Sequence, residues 1–290
     1  MDLTQLEIFR AVAQSGSITA AAGLMHRVPS NLTTRIKQLE AELGTELFIR
    51  EKLRLRLSAT GRSFLDYAER ILALVDEARQ VASGAEPHGS FSLGSLESTA
   101  AVRIPALLAL YHQRYPKVQL DLSTGPSGEM IDGVLSGRFS AAFSDGPANH
   151  PQLEGRPVFQ EELVLMSTVA HAPVRDARDV AGETVFAFRD TCSYRRRMEN
   201  WFADQRVVPG KIIEMESYHG MLACIAAGGG VAMIPRKMFE TLAGGANVAI
   251  HTLEPEHANV TTWLFWRRGT EMPALRALNE LLDERYGATA

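Results

Sequence analysis

The chain has 290 residues, 46% of them apolar and 22% charged, an ordinary globular composition that is long enough for two or three packed units and excludes extensive disorder. Its net charge is −4, yet residues 1–62 hold nine Lys and Arg against six acids, a surplus of +3 that leaves −7 on the remainder. The only two cysteines, Cys192 and Cys224, exclude a disulfide framework and read as small core residues rather than a redox pair.

The first predicted element is a helix over residues 1–14, where Leu3, Leu6, Phe9 and Val12 recur at helical spacing and Gly16 provides a stop. Ser17 then caps a second helix, whose Ile18-Thr19-Ala20-Ala21-Ala22 permits the close crossing of a helix-turn-helix corner. A third helix opens at Pro29, with Leu32, Ile36, Leu39 and Leu43 on one buried stripe and Asn31, Thr34, Arg35 and Gln38 on the opposite face. Two short strands follow, at residues 46–50 and 53–57. The second alternates Leu with Arg54 and Arg56, and together they read as a wing with Glu51-Lys52-Leu53 at its tip. A basic winged head of this kind fits double-stranded DNA, since phosphate neutralisation dominates such affinity. The candidate DNA contacts are Ser17, Thr19, Ser30, Asn31, Thr33, Thr34, Arg35, Gln38, Arg50 and Arg54.

From Ser58 a long helical segment keeps Phe64, Tyr67, Ile71, Leu74 and Ala78 at a mean spacing near that of a heptad. It reads as a dimerisation helix, the alternative being a spacer packed on its own chain. Ser83-Gly84-Ala85-Glu86-Pro87 ends it as a linker. Strand and helix patterns then alternate: strands at 91–96, 118–122, 140–144 and 162–166, and helices over about 102–115 and 130–136. A second lobe follows with strands at 185–188, 212–215 and 231–234, a returning strand at 261–266 and a last amphipathic helix over 273–286. This grammar predicts parallel α/β layers in two lobes joined by two crossing strands, with a cleft between them. The expected division is a winged helix-turn-helix over 1–58 and a linker helix and hinge over 59–86. A two-lobed α/β effector domain then occupies 87–290, with lobe I at about 91–163 and 266–290 and lobe II at about 164–265.

Leu6-Glu7-Ile8-Phe9, Ser17-Ile18-Thr19-Ala20-Ala21-Ala22, Leu39-Glu40, Leu43-Gly44, Leu47-Phe48-Ile49-Arg50 and Leu57-Ser58-Ala59-Thr60-Gly61 together resemble the signature of LysR-type transcriptional regulators. The resemblance covers nearly the whole chain. Pro105 and the run from Gly228 to Pro235 also fit it. It departs where the family commonly has Ser-Gln before the recognition helix and Ser-Arg within it; here the positions hold Val28-Pro29-Ser30 and Thr33-Thr34. The resemblance implies a periplasmic-binding-protein-like effector domain, a homo-oligomer arranged as a dimer of dimers, and RNA polymerase as a further candidate partner. Two blocks, Gly94 to Pro105 and Glu214 to Cys224, are similar to the putrescine-utilisation branch of that family.

Ligands of α/β sheets sit beyond the carboxyl ends of strands, where helix N-termini converge. Three loops qualify here, supplying Glu97, Ser98 and Thr99, then Thr124 and Ser127, then Ser193 and Tyr194, with Glu216, Ser217 and His219 as the opposite wall. Taken singly, each hydroxyl is as well explained by helix capping; the resemblance raises Ser98 and Ser127 above that. Helix N-termini favour a carboxylate, whereas Glu97 and Glu216, with Asp145, favour a small cation such as a polyamine. An amino acid would use both.

An enzyme and a free solute-binding protein are the competing readings. The sequence holds no Gly-x-Ser-x-Gly elbow, dinucleotide turn, Walker loop or His-Glu-x-x-His, so no catalytic residue is expected. His251 and His257 flank Glu254 and Glu256, but that stretch reads as a polar loop without convincing metal spacing, and neither metal nor cofactor is expected. With no apolar leader or membrane-spanning run, a soluble cytoplasmic protein without a membrane partner is expected.

Overall fold

The computed structural model describes residues 1–51, 54–82, 86–147, 150–242 and 247–287, and at 50, 51, 54, 80 and 81 it describes the backbone alone. Helix α1 (Leu3–Ser15) starts on a capping box: Asp2 accepts the Gln5 amide and the Gln5 side chain accepts the Asp2 amide, each at 2.8 Å. Gly16 stops it in the left-handed region at φ +64°. Ser17 caps α2 (Ile18–Leu24) by accepting the Ala20 amide. Pro29 stands first in α3 (Pro29–Leu43), where its missing N–H costs nothing, and Gly44 ends that helix. Leu32, Ile36 and Leu39 are buried against Leu6, Phe9, Val12 and Ala21. Leu43, expected on the same stripe, is 37% exposed. As the last residue of α3, it lies past the point where that helix faces the head's core.

Strands β1 (Phe48–Glu51) and β2 (Arg54–Leu57) pair antiparallel, a residue or two later than the sequence pattern places them. The Glu40 carboxylate accepts the amides of Leu47 and Phe48 at 2.8 and 3.2 Å, which fastens the wing to α3. Lys52 and Leu53, named for the wing tip, lie outside the described residues. Helix α4 (Ala59–Ala82) leaves the wing so closely that a Cβ on Gly61 would fall 2.0 Å from the Leu47 carbonyl oxygen. Its Ala68 and Leu72 are buried in the head's core and the Phe64 ring meets Phe9 edge-on at 5.2 Å.

Beyond α4 the sheet order is β10-β6-β11-β5-β3-β4, with β9 also paired to β6. Strands β3 (Gly89–Ser95), β4 (Val118–Thr124) and β5 (Ala141–Asp145) are parallel. Strand β11 (Asn259–Arg267) runs antiparallel to both β5 and β6 (Leu153–Thr168), so the sheet is mixed rather than parallel throughout. The reversal arises because β11 returns from lobe II. Strand β6 is one continuous strand: its first part pairs with β11 in lobe I, and its last part pairs with β9 (Ala232–Pro235) and β10 (Val248–Thr252) in lobe II. It is the rod on which both lobes hang. Strands β7 (Val185–Ala187) and β8 (Ile212–Glu214) form a small parallel pair next to β9, joined to it by a bridge between Val185 and Val231.

The helix expected over about 102–115 is α6 (Ile104–Arg114), and before it stands a short helix that the pattern does not predict, α5 (Glu97–Val102); Pro105, with no N–H to continue the ladder, keeps the two apart. Helix α7 (Ser127–Ser136) packs on β5, α8 (Ser193–Asp204) and α9 (Tyr218–Ala226) belong to lobe II, and α10 (Arg236–Thr241) and α11 (Pro255–Ala258) are short. Helix α12 (Pro273–Tyr286) returns to lobe I, where Leu275, Leu278 and Leu282 join Phe91, Phe143 and Leu264 in one core. A separate core in lobe II gathers Leu163, Leu165, Trp201, Phe202 and Val260. Two cores joined by β6 leave a seam between them.

Candidate functional site

On the head, Ser30, Asn31, Thr34 and Gln38 are exposed on one side of α3, with Thr33 and Arg35 half-buried at its margin. The hydroxyls of Thr33 and Thr34 donate to the carbonyls of Pro29 and Ser30 at 2.9 and 3.0 Å. These bonds engage both hydroxyl protons within α3 and fix the two rotamers. Arg35 is held 3.3 Å from Asp2, the residue that caps α1, so its guanidinium is positioned before any partner arrives. Thr19 is exposed on α2 and Ser17 is engaged as that helix's cap. Arg50 and Arg54 lie on the wing strands, and their side chains fall outside the described residues.

The seam between the lobes opens into a cavity of about 380 Å³. It is lined by Glu97, Ser98, Thr124, Ser193, Tyr194 and Glu216 from the sequence reading, and by Glu129, Phe188, Arg189 and Tyr218 besides. Four expected residues do not line it. Thr99 is buried with an unpartnered hydroxyl, Ser217 caps α9 by accepting the Gly220 amide, and His219 is exposed on the first turn of α9. The fourth, Ser127, lies buried behind the wall, where its hydroxyl donates to the Ser193 hydroxyl at 2.8 Å.

Three helices, α5, α7 and α8, begin at this cavity and none has a side-chain N-cap. None of the hydroxyls at these positions caps its own helix, although Ser127 Oγ accepts the first amide of α8 at 3.4 Å; the remaining first-turn amides of α7 and α8 give this end of the seam partial positive charge. Opposing this field are carboxylates. Burial pushes Glu97 above the usual carboxylate range, with His219 drawing it down and Glu216 pushing it further up. Arg189 pairs with Glu216 on its own lobe and with Glu129 of α7 at 3.3 Å, so one guanidinium bridges the cavity mouth from lobe to lobe.

Apolar walls complete the cavity. The Phe188 and Tyr218 rings meet edge-on at 4.8 Å. Tyr194 is buried with Ser98 close by, yet its hydroxyl makes no hydrogen bond, and burial raises both phenols far above their ordinary range. Deeper in the seam, Asp145 at the end of β5 takes Arg197 of α8 at 3.3 Å, while its second oxygen is buried without a partner. The arrangement offers amide dipoles and hydroxyls on one side, an electrostatically unsettled carboxylate on the other, and aromatic faces between. Such a cavity suits a small polar molecule in size and chemistry, and its lining shows no nucleophile–base pair among the described residues. Arg189 and Glu129 escaped the sequence reading, because one sits in an irregular loop and the other looks like an ordinary solvated residue of an amphipathic helix.

Comparison with known proteins bears on both regions. Residues 3–62 match the family described as bacterial regulatory helix-turn-helix protein, lysR family, and residues 84–287 match the LysR substrate binding domain. The chain is 34% identical to the HTH-type transcriptional regulator GltR of Bacillus subtilis, over 96% of this chain and 94% of that one. It is also 34% identical to the HTH-type transcriptional regulator SoxR of an Arthrobacter strain, over 93% and 92% of the two chains. Among solved structures, full-length CbnR in complex with its target DNA superposes with a TM-score of 0.70 at 25% identity, covering 98% of this chain and 99% of that one. A full-length OxyR variant from Pseudomonas aeruginosa, at 19% identity and TM-score 0.75 over 98% and 95% of the chains, shares the fold.

Proposed function

The chain belongs to the LysR family of DNA-binding transcriptional regulators, proteins that regulate rather than catalyse, and from that premise we propose that an amino-acid-like effector in the inter-lobe cleft tunes its hold on a promoter. The carrying observation is the opposition of uncapped α7 and α8 N-termini to the desolvated Glu97 carboxyl across one cavity. A ligand carboxylate is met by the first-turn amides with Ser98 and Ser193. Its ammonium group is met by Glu97, with Phe188 and Tyr218 enclosing the carbon skeleton. A polyamine satisfies only the acidic side, and the narrower likeness to the putrescine-utilisation branch gains no support from the relatives above. Thr99, Ser127, Ser217 and His219 act from behind the wall or beside it.

On the head, Ser30, Asn31, Thr34 and Gln38 face the major groove, Arg35 takes a phosphate, and Ser17, Thr19, Thr33, Arg50 and Arg54 flank them. Homo-oligomerisation supplies the second half-site contact. Tyr67 and Leu74 of α4, seven residues apart and 60% and 52% exposed in the single chain, give that helix an apolar stripe for a second copy. A dimer of dimers that meets RNA polymerase at a promoter in the cytoplasm completes the reading. Among the described residues no helix is long and apolar enough to cross a membrane.

The test is a thermal-shift screen of the purified protein with amino acids, diamines and aromatic acids, followed by gel shift with the neighbouring promoter. Amino acids raise the melting temperature, since a ligand of the native state stabilises it, and they change promoter affinity. Stabilisation by diamines or aromatic acids alone overturns the effector class.

A further inference from the structure

At the other end of α8, about three helical turns from the cleft, stands a cluster that the regulatory reading leaves unused. The single turn α11 packs against α8, and its His257 is turned inward, with a side chain only 8% exposed. The His257 Nε2 is buried and makes no hydrogen bond. Around it lie carboxylates. Glu256 Oε1 is 3.4 Å away and Asp204 Oδ2, from the last residue of α8, is 3.7 Å away, neither in hydrogen-bonding geometry. Ligand-capable atoms of Glu254, Glu256 and His257 all lie within 4.8 Å of one another.

A buried ring nitrogen left without a hydrogen bond is costly, and a cation between it and the carboxylates removes that cost. The spacing suits one. Two donors each about 2.0–2.1 Å from a tetrahedral zinc stand about 3.4 Å apart, close to the separation found between His257 and Glu256. Asp204 and Glu256 are 64% and 73% exposed, so both can swing a short way onto an ion, while the buried imidazole provides the fixed point. One imidazole with carboxylates selects a borderline divalent ion over calcium or magnesium, which prefer oxygen alone. Residues 254–257 in isolation lack a convincing metal pattern because Asp204 comes from fifty residues upstream.

We propose that Asp204, Glu254, Glu256 and His257 form a site for a divalent transition-metal ion of the zinc class, tying the C-terminal end of α8 to α11. The ion lies outside the cleft and reacts with nothing. It holds the far end of the helix whose N-terminus lines the effector cavity.

The test uses the full-length, tag-free chain, stripped with chelator and dialysed against micromolar zinc. One zinc per chain is expected by elemental analysis, together with a higher melting temperature that magnesium and calcium do not reproduce. Asp204→Asn and Glu256→Gln change exposed side chains and leave the fold intact. Each is expected to weaken zinc binding by at least roughly tenfold, a loss that even outer-shell changes cause at metal sites, and to abolish the thermal shift. His257→Gln is the stricter variant, and the two surface variants stand if it fails to fold. Absence of zinc from the wild-type chain, or undiminished binding in both surface variants, overturns the proposal.

Discussion

The Ser127 hydroxyl donates to the Ser193 hydroxyl at 2.8 Å, and the Ser193 amide donates back to Ser127 Oγ at 3.4 Å, so the first turns of α7 and α8 are joined directly between the lobes. Both residues are buried, and the Ser144 hydroxyl donates to the Ser127 carbonyl at 3.4 Å behind them. This contact sets the separation of the two helix N-termini that face the cavity. Ser127→Ala leaves the Ser193 amide and hydroxyl without that partner, at a cost of about 1–3 kcal/mol. The expected result is a melting temperature lower by several degrees and an effector affinity weaker by about tenfold, read by thermal melts and calorimetric titration. Unchanged affinity in a destabilised variant would restrict the pair to a packing role.

Arg35 and Ser98 separate the two activities. Arg35→Ala removes a cation that Asp2 holds beside α3 and touches nothing in the effector domain. Promoter affinity is expected to fall, and the salt dependence of binding to flatten by about one counterion, with effector affinity unaltered. Ser98→Ala does the reverse. Gel shifts across a salt series, with titrations of effector, check both. Equal losses in both assays for either variant would mean a damaged fold or a wrong assignment.

Glu97 gives the cleft a pH dependence whose sign is fixed by burial. Its carboxyl is raised above the ordinary value, so between the two values the folded chain holds more protons than the unfolded one, and stability declines as pH rises through that window. Glu97→Gln is therefore expected to be more stable than the wild type above the window and to match it below. The same ionisation reports on the ligand. If an ammonium group sits against Glu97, effector affinity rises with pH across the window, and the rise vanishes in Glu97→Gln. A wild-type affinity that falls with pH there would place a carboxylate at Glu97 and reverse the ligand's orientation.

The sequence pattern carried the head well because its signals are local. Gly16, Ser17, Pro29 and Gly44 each act within a turn of the element they bound, and the stripe of Leu32, Ile36 and Leu39 needs only helical periodicity. In the effector domain, Glu97, Ser98, Ser193, Tyr194 and Glu216 were legible as candidates, since strand ends place residues at a cleft whatever their partners. What stayed hidden was pairing. Ser127 looks like a first-wall hydroxyl until Ser193, sixty-six residues on, claims it, and Arg189 gains meaning only when Glu129 arrives from the other lobe. The direction of β11 is equally non-local. A strand's own alternation says nothing of which neighbour it returns beside.

Helix α7 connects the two functional regions through its own length. It begins at Ser127 behind the cavity wall, carries Glu129 at the mouth, and ends at Gly137, where φ is +81°. A Cβ at Gly137 would lie 3.2 Å from both the Arg70 Cα and Cγ of α4, so the helix end abuts the linker helix closely enough that a side chain there would press on it. Helix α4 in turn packs on α1 through Phe64 and Phe9. A ligand that displaces or tightens the Arg189–Glu129 pair would act on a helix whose other end bears on the linker of the DNA-binding head. Gly137→Ala must strain the left-handed turn, at about 1 kcal/mol or more, or push α4 away. Since α4 sits between cleft and head, the loss is expected in their coupling rather than in either site alone. Effector-induced changes in promoter affinity, about 5-fold to 150-fold for a typical coupling, should shrink to within about twofold, while separately measured effector affinity stays near that of the wild type. Because coupling between two binding sites is reciprocal, promoter DNA should likewise cease to alter effector affinity. Coupling retained in full by Gly137→Ala would show that the signal reaches the head by another route, such as the pairing of α4 with a second copy.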